Sequence, residues 1–130
     1  MPLSPSLWFR VHESGEVVDL TDNTYGGHFP WKEHLFQVER ELGIEGSIKF
    51  VLFTDERGLW RVQAVPVAPN SFVSRVGLLP EWRGLRDESL SSSAQLPDCT
   101  FVHASGFIGG ARSRQSVLQM AVKSLSATQA

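Results

Sequence analysis

The stretch "FVHASGFIGGARSRQS", residues 101–116, decides how the last third of the chain is read. It reads as the end of a buried strand, a glycine-rich turn and the start of a helix. Arg112 and Arg114 fall where that helix begins, although a helix N-terminus is partly positive and disfavours cations. Gly106, Gly109 and Gly110 would let the backbone approach a ligand without side-chain obstruction. Free N–H groups at a helix start suit oxyanions, and guanidinium groups grip them through several donors. Ser113 is placed as an N-cap, and His103 and Ser105 add polar groups at the strand end. Two readings follow. Either the segment binds an anion, or the helix is simply capped, its arginines solvated and its glycines serving only the turn. The spacing is neither a Walker loop nor the dinucleotide G-x-G-x-x-G pattern.

Outward from this stretch, charge is unevenly spread. The 130 residues carry 12 Lys and Arg against 14 Asp and Glu, a formal net charge of -2. From Cys99 onward there is no acidic residue, against Arg112, Arg114 and Lys123. A general polyanion binder is thereby excluded, while a local basic patch is not. Apolar content of 42% and charged content of 20% fit one folded domain over residues 1–130. A single cysteine, Cys99, excludes an internal disulfide framework and fits a reducing, intracellular compartment. No apolar run approaches the ~20 residues of a membrane span, and the N-terminal segment has no targeting signal.

"LWFRV" and "ESGEVVDL" read as short strands joined at Ser14-Gly15, and "TDNTYGGHF" as a loop. Pro30 suits a first helical position, and Trp31, Leu35, Val38 and Leu42 recur at helical spacing up to Gly43, giving a helix over about 30–42. Ile48–Phe53 and "LWRVQAV" form an antiparallel hairpin turned at "DERG". In the return strand Trp60, Val62 and Ala64 alternate with Arg61 and Gln63, as in a half-exposed strand. "PEWRGLRDESLSSS" holds one or two short helices separated at Gly84, and "CTFV" is a buried strand. Val117, Leu118, Ala121, Val122 and Leu125 make the apolar face of a last helix. The order of elements predicts an α+β fold: a mixed or mostly antiparallel sheet covered by the two longer helices.

"EWRGLRDE" (81–88) sets Trp82 among charges, with Arg83 and Arg86 three apart. The tryptophan either stacks a base while the arginines hold phosphate, or anchors a short helix to the core. Metal and nucleophile patterns are poor. His28 and His34 are not a helical ligand pair, and Asp55-Glu56 and Asp19-Asp22 read as solvated turn charges. His103 with Ser105 lacks an identifiable third group for a catalytic triad. The neighbours of Cys99 point to burial rather than reactivity.

"PWKEHLF" (30–36), "WRVQAVPVAPNSF" (60–72), "LPEWRGLRDESL" (79–90) and "FVHASGFIGG" (101–110) resemble the C-terminal region of the MYG (melanocyte proliferating gene) family. The likeness covers nearly the whole chain in the same order and loosens after Gly110, at Ala111 and Gln115. It implies membership of the DHH phosphoesterase superfamily, with 3′–5′ RNA exonuclease activity in nucleus and mitochondrion. It also implies an N-terminal catalytic domain whose Asp and His motifs bind a divalent metal, manganese or magnesium. No Asp-His-His triplet occurs in this chain. What remains is similar to the smaller domain that supplies a substrate-binding loop in related phosphoesterases. The resemblance therefore makes His103, Ser105, Gly106, Gly109, Gly110, Arg112 and Arg114 candidates for holding an RNA or nucleotide phosphate. Arg83 and Arg86 are secondary candidates for the same groove. On this reading the chain binds no metal or other cofactor and is not catalytic alone. The partners expected are the substrate and the catalytic domain, with no membrane. The rival is a stand-alone binding or regulatory module that contacts a protein or a small anion. A third possibility, independent hydrolysis through His103 and Ser105, predicts metal-free turnover of a generic ester.

Overall fold

The computed structural model describes residues 9–10, 15–20 and 31–128. The expected loop at 21–29, Pro30, His28 and the turn at Ser14 lie outside them. The sheet is built from β1 (Phe9–Arg10), β2 (Val17–Asp19), β3 (Phe50–Thr54), β4 (Trp60–Ala64), β5 (Cys99–Val102) and β6 (Ile108–Ala111). Its order is β1-β2-β3-β4-β6-β5. Only β2 and β3 run parallel; the other neighbouring pairs are antiparallel. With α1 (Trp31–Leu42), α2 (Asp87–Ala94) and α3 (Arg114–Thr128), the chain has the expected α+β architecture.

Alternation along the strands sorts side chains onto two faces. One face presents Val17, Phe50, Leu52, Val62, Ala64 and Ala111 to a core closed by Val117, Met120, Ala121 and Leu125 of α3. Leu118 and Val122, read from the sequence as part of that helix's inner face, are only half-buried, and Met120 takes the central place. Trp82, at the end of a 3-10 turn over Pro80–Trp82, is 2% exposed in the same core. Of the two readings of "EWRGLRDE" the anchoring one holds, and Trp82 is not free to stack a base. Gly84, with φ of 82°, separates that turn from α2, as the sequence predicts.

The other face is covered only in part. Trp31, Leu35 and Val38 of α1 pack on Val18, Leu20, Val51 and Val65, over β2 and β3. Leu42, the last residue of the helical stripe, is 45% exposed. Its place inside is taken by Glu39, fully buried, whose carboxylate accepts two bonds of 2.7 Å from Arg75 and one of 3.0 Å from Ile48 N–H. Arg75 also lies over the Phe36 ring, 4.7 Å from its centroid. This pair ties the irregular segment after β4 to α1. Over β4, β6 and β5 no described helix covers the second face.

The glycine-rich turn expected after "FVHAS" is corrected by the structure. The turn is only residues 103–107, and Gly109 and Gly110 lie in β6, between β4 and β5. Hydrophobic periodicity is silent there, because glycines carry no pattern. Their reason is close approach. A Cβ on Gly109 would lie 3.0 Å from both Leu78 Cδ1 and Met120 Cε, so the missing side chain lets α3 sit close on the sheet.

Candidate functional site on the open sheet face

Register places one row of residues across the uncovered face. Arg86 bridges to Phe101, Phe101 pairs with Gly110, and Gly110 pairs with Arg61. Arg61 lies across β6 above Gly110, its guanidinium carbon 4.8 Å from the Phe101 ring centroid. Only glycine permits this: a Cβ on Gly110 would stand 2.5 Å from Arg61 Nη1 and 2.9 Å from Phe101 Cε1. A register shift between Cys99 and Phe101 makes a bulge at Thr100. That extra residue lets Cys99 enter the core while Phe101 joins the open face. Thr100 Oγ1, beside Gly110, is a buried hydroxyl with no hydrogen-bond partner among the described residues.

Asp55 orients Arg61. Its Oδ1 accepts from Arg57 N–H (2.8 Å) and Leu59 N–H (3.0 Å), which fixes the β3–β4 turn, and Oδ2 accepts from Arg61 Nη2 at 2.8 Å. Asp55 is thus a structural acceptor rather than the solvated turn charge its sequence position suggests. The sheet face therefore carries a cation held over an aromatic ring, with a second arginine, Arg86, in the same row.

The β5–β6 turn brings His103, Ser105 and Gly106 to one end of this face. Ser105 N–H donates to His103 Nδ1 at 3.1 Å, with Ser105 Oγ 2.9 Å from the same nitrogen. The His103 ring packs edge-on against Phe107, centroids 4.9 Å apart. These local contacts account for the pair. No described carboxylate is hydrogen-bonded to His103, so the triad arrangement is incomplete. Gly106, at φ 78°, closes the turn and leaves room for Arg83, which donates from Nε to Leu78 O at 3.0 Å. Arg83 and Gly106 are thus neighbours, 23 residues apart in the chain.

The arginines at the start of α3 part company. Arg114 Nε donates to Asp19 Oδ2 of β2 at 2.7 Å. Ser113 caps the helix as expected, accepting from Ser116 N–H at 3.2 Å, and Ser116 Oγ donates to Asp98. Two in-chain carboxylates, Asp98 and Asp19, therefore stand beside the positive helix end. Asp19 is buried rather than solvated. Arg112 is exposed, and no side-chain hydrogen bond engages it among the described residues.

The sequence reading missed Arg61 and Phe101 as site residues. The alternation of "WRVQA" already turned Arg61 and Gln63 to the half-exposed side. The insertion of β6 between β4 and β5, which brings Arg61 over Phe101, is not written in any local pattern.

The family model MYG1_exonuc, described as an uncharacterised protein family (UPF0160), matches residues 6–125. The chain belongs to the MYG1 exonuclease family. It is 54% identical over 113 residues to the MYG1 exonuclease of Bos taurus, covering 87% of this chain and 29% of that protein. To the MYG1 exonuclease of Homo sapiens it is 51% identical over 113 residues, with the same coverage of 87% and 29%. The MYG1 protein YER156C of Saccharomyces cerevisiae is 50% identical over 115 residues, covering 88% of this chain and 32% of the relative. The chain spans about a third of the length of the curated relatives it matches. No solved structure matches it.

The divalent metal that the family resemblance implies is not matched by a donor set here. Among the described residues no group of three His, Cys, Asp or Glu side chains comes together. Asp55, which holds Arg61 on the open face, is already bonded to that arginine and to two backbone N–H groups. Among the described residues no helix is long and apolar enough to cross a membrane.

Proposed function

We propose that this part of the family protein is its substrate-binding unit and holds a nucleic-acid strand on the open half of the sheet. The observation that carries the reading is Arg61 laid across Gly110 on the Phe101 ring, with Arg86 in register beside it. Arginine and aromatic side chains interleaved on a sheet face suit a single strand, whose phosphates need cations and whose bases need flat apolar surfaces. Arg83, Arg112 and the turn at His103–Gly106 extend the polar rim of that surface. The name exonuclease carried by the bovine and human relatives supports a nucleic-acid substrate. Cleavage belongs to a metal-binding catalytic segment elsewhere in the longer family members. The role of this surface is positioning: it fixes the strand so that the scissile phosphodiester meets that centre in one orientation.

A salt titration tests the reading. Binding of a fluorescent oligoribonucleotide is followed across a range of ionic strengths for the wild type and an Arg61→Gln, Arg86→Gln double variant. The double variant is expected to bind more weakly and to lose about two from the slope of log K against log salt. An unchanged affinity and slope overturns the proposal.

A further inference from the structure

Beside the open face lies a pocket of about 370 Å³, between the β5–β6 turn and the loop at 66–74. We propose that it receives one nucleobase of the bound strand, an inference that rests on the strand-binding reading above. Phe72 stands at its edge fully exposed, at 103% of the reference value, and Phe107 on the opposite wall is 36% exposed. Phe72, left open to water, has no packing role within the described chain.

Phe72 is presented by a loop with bonds of its own. Val67 N–H donates to Val73 O (2.8 Å), Ser71 N–H to Ala68 O (3.0 Å) and Val73 N–H to Ser71 Oγ (2.9 Å). Pro66 and Ser74 bridge at its base, and Arg75, the next residue, is locked to Glu39. Phe107 is held by its edge contact with His103. The loop backbone that carries Phe72 and the Phe107 ring are therefore fixed features of the pocket walls.

The polar groups of the pocket match the edge of a base rather than a phosphate or an aliphatic chain. Gln63, on β4, is half-buried and its amide has no described partner. It offers one acceptor and two donors, the combination that hydrogen-bonds a base edge. His103 has Nδ1 taken by Ser105, which leaves Nε2 as a second polar atom. Lys32 lines the same pocket and supplies a cation for an adjoining phosphate. Gln63 belongs to the same sheet face as Arg61, two residues away on β4, so base pocket and phosphate contacts form one continuous surface. A second cleft, about 470 Å³ around Glu39 and Arg75, lacks this character because its buried charges satisfy each other.

The test compares two strands of equal length and charge, an oligouridylate and a fully abasic oligoribonucleotide, binding to the 130-residue chain and to a Phe72→Ala variant. Phe72 is exposed, so the variant keeps the fold, which circular dichroism checks. The wild type is expected to favour the base-bearing strand by about tenfold, the size of one base–aromatic stack, and Phe72→Ala to lose that preference with its salt slope intact. Equal binding of the two strands by the wild type overturns the base pocket and leaves the strand-binding reading standing. A preference that survives in Phe72→Ala also overturns the pocket, since the bases then stack elsewhere on the surface. No salt-dependent binding of either strand overturns both.

Discussion

Arg114 and Asp19 lie 95 positions apart, yet Arg114 Nε donates to Asp19 Oδ2 at 2.7 Å and so fastens the first turn of α3 to β2. The cation that looks misplaced at a helix start is there to meet a buried carboxylate on the far side of the core face. Asp19 is 8% exposed by side chain and Arg114 44%, so solvent screens the pair on one side only. Arg114→Gln is expected to lower stability by about 1 kcal/mol, read from the urea midpoint. Its salt slope for RNA binding is expected to stay that of the wild type, in contrast to the Arg61 and Arg86 substitutions.

The two strand glycines should separate stability from binding. Gly109→Ala points its new methyl at Leu78 and Met120 in the core and is expected to cost about 1–3 kcal/mol while leaving RNA affinity unchanged. Gly110→Ala points at the end of Arg61 and the edge of the Phe101 ring, both on the open face and able to move into solvent, and should cost less stability. It lifts the guanidinium off Phe101, however, and is expected to weaken RNA binding about as much as losing Arg61. Denaturation and anisotropy titrations on the same preparations check both halves.

Glu39 and Arg75 form the most enclosed ion pair among the described residues, with side chains 1% and 9% exposed. Glu39→Ala strands the Arg75 guanidinium and the Ile48 N–H, and is expected to destabilise by about 3–5 kcal/mol. Amide exchange in the 66–74 loop should accelerate in that variant, because Arg75 is the loop's anchor to α1. Exchange that speeds up only globally, with no extra effect in the loop, contradicts this anchoring role.

Burial pushes the Cys99 thiol above its ordinary 9.0; Asp98 nearby acts in the same direction, and a hydrogen bond with Ser91 opposes them. The unfolded chain ionises near that ordinary value while the folded chain keeps its proton. The thiol's contribution to stability is therefore complete below pH 9.0 and is lost as the pH rises from there through the folded value. Cys99→Ala is expected to show a shallower alkaline decline in urea midpoint than the wild type. Native Cys99 should also resist a thiol reagent at neutral pH until denaturant is added.

Much of the fold was legible because its elements carry periodic patterns. Trp31, Leu35 and Val38 mark α1 at 3.6-residue spacing, and Trp60 to Ala64 mark β4 by alternation. β6 carried no such mark: "IGGA" offers a strand pattern only to a reader who knows what its neighbours are. The glycines that suggested a ligand loop instead make space, Gly109 for α3 and Gly110 for Arg61. The candidate site was half legible for the same reason. Arg86, His103, Ser105 and Gly106 stand out as residue types in a polar context, whereas Arg61 and Phe101 gain their meaning from a contact between strands distant in sequence. Asp19, on β2, and Asp98, in the turn before β5, are the acids that answer Arg114 and the start of α3, and both are distant from it in sequence. Charge counting sees that they exist, not where they end up.

The bulge at Thr100 carries a consequence of its own. In an unbroken strand Cys99 and Phe101 would share a side, and the segment would commit both to the interior or both to solvent. One supernumerary residue uncouples them, so four consecutive positions serve as hydrophobic filling and as contact surface at once. Deleting Thr100 would therefore remove the bulge alone, because Cys99 and Phe101 would become chain neighbours, which a regular strand sends to opposite faces. The Phe101 ring would keep its place beneath Arg61, and the segment would lose only the local bend of the bulge and the unpartnered Thr100 hydroxyl.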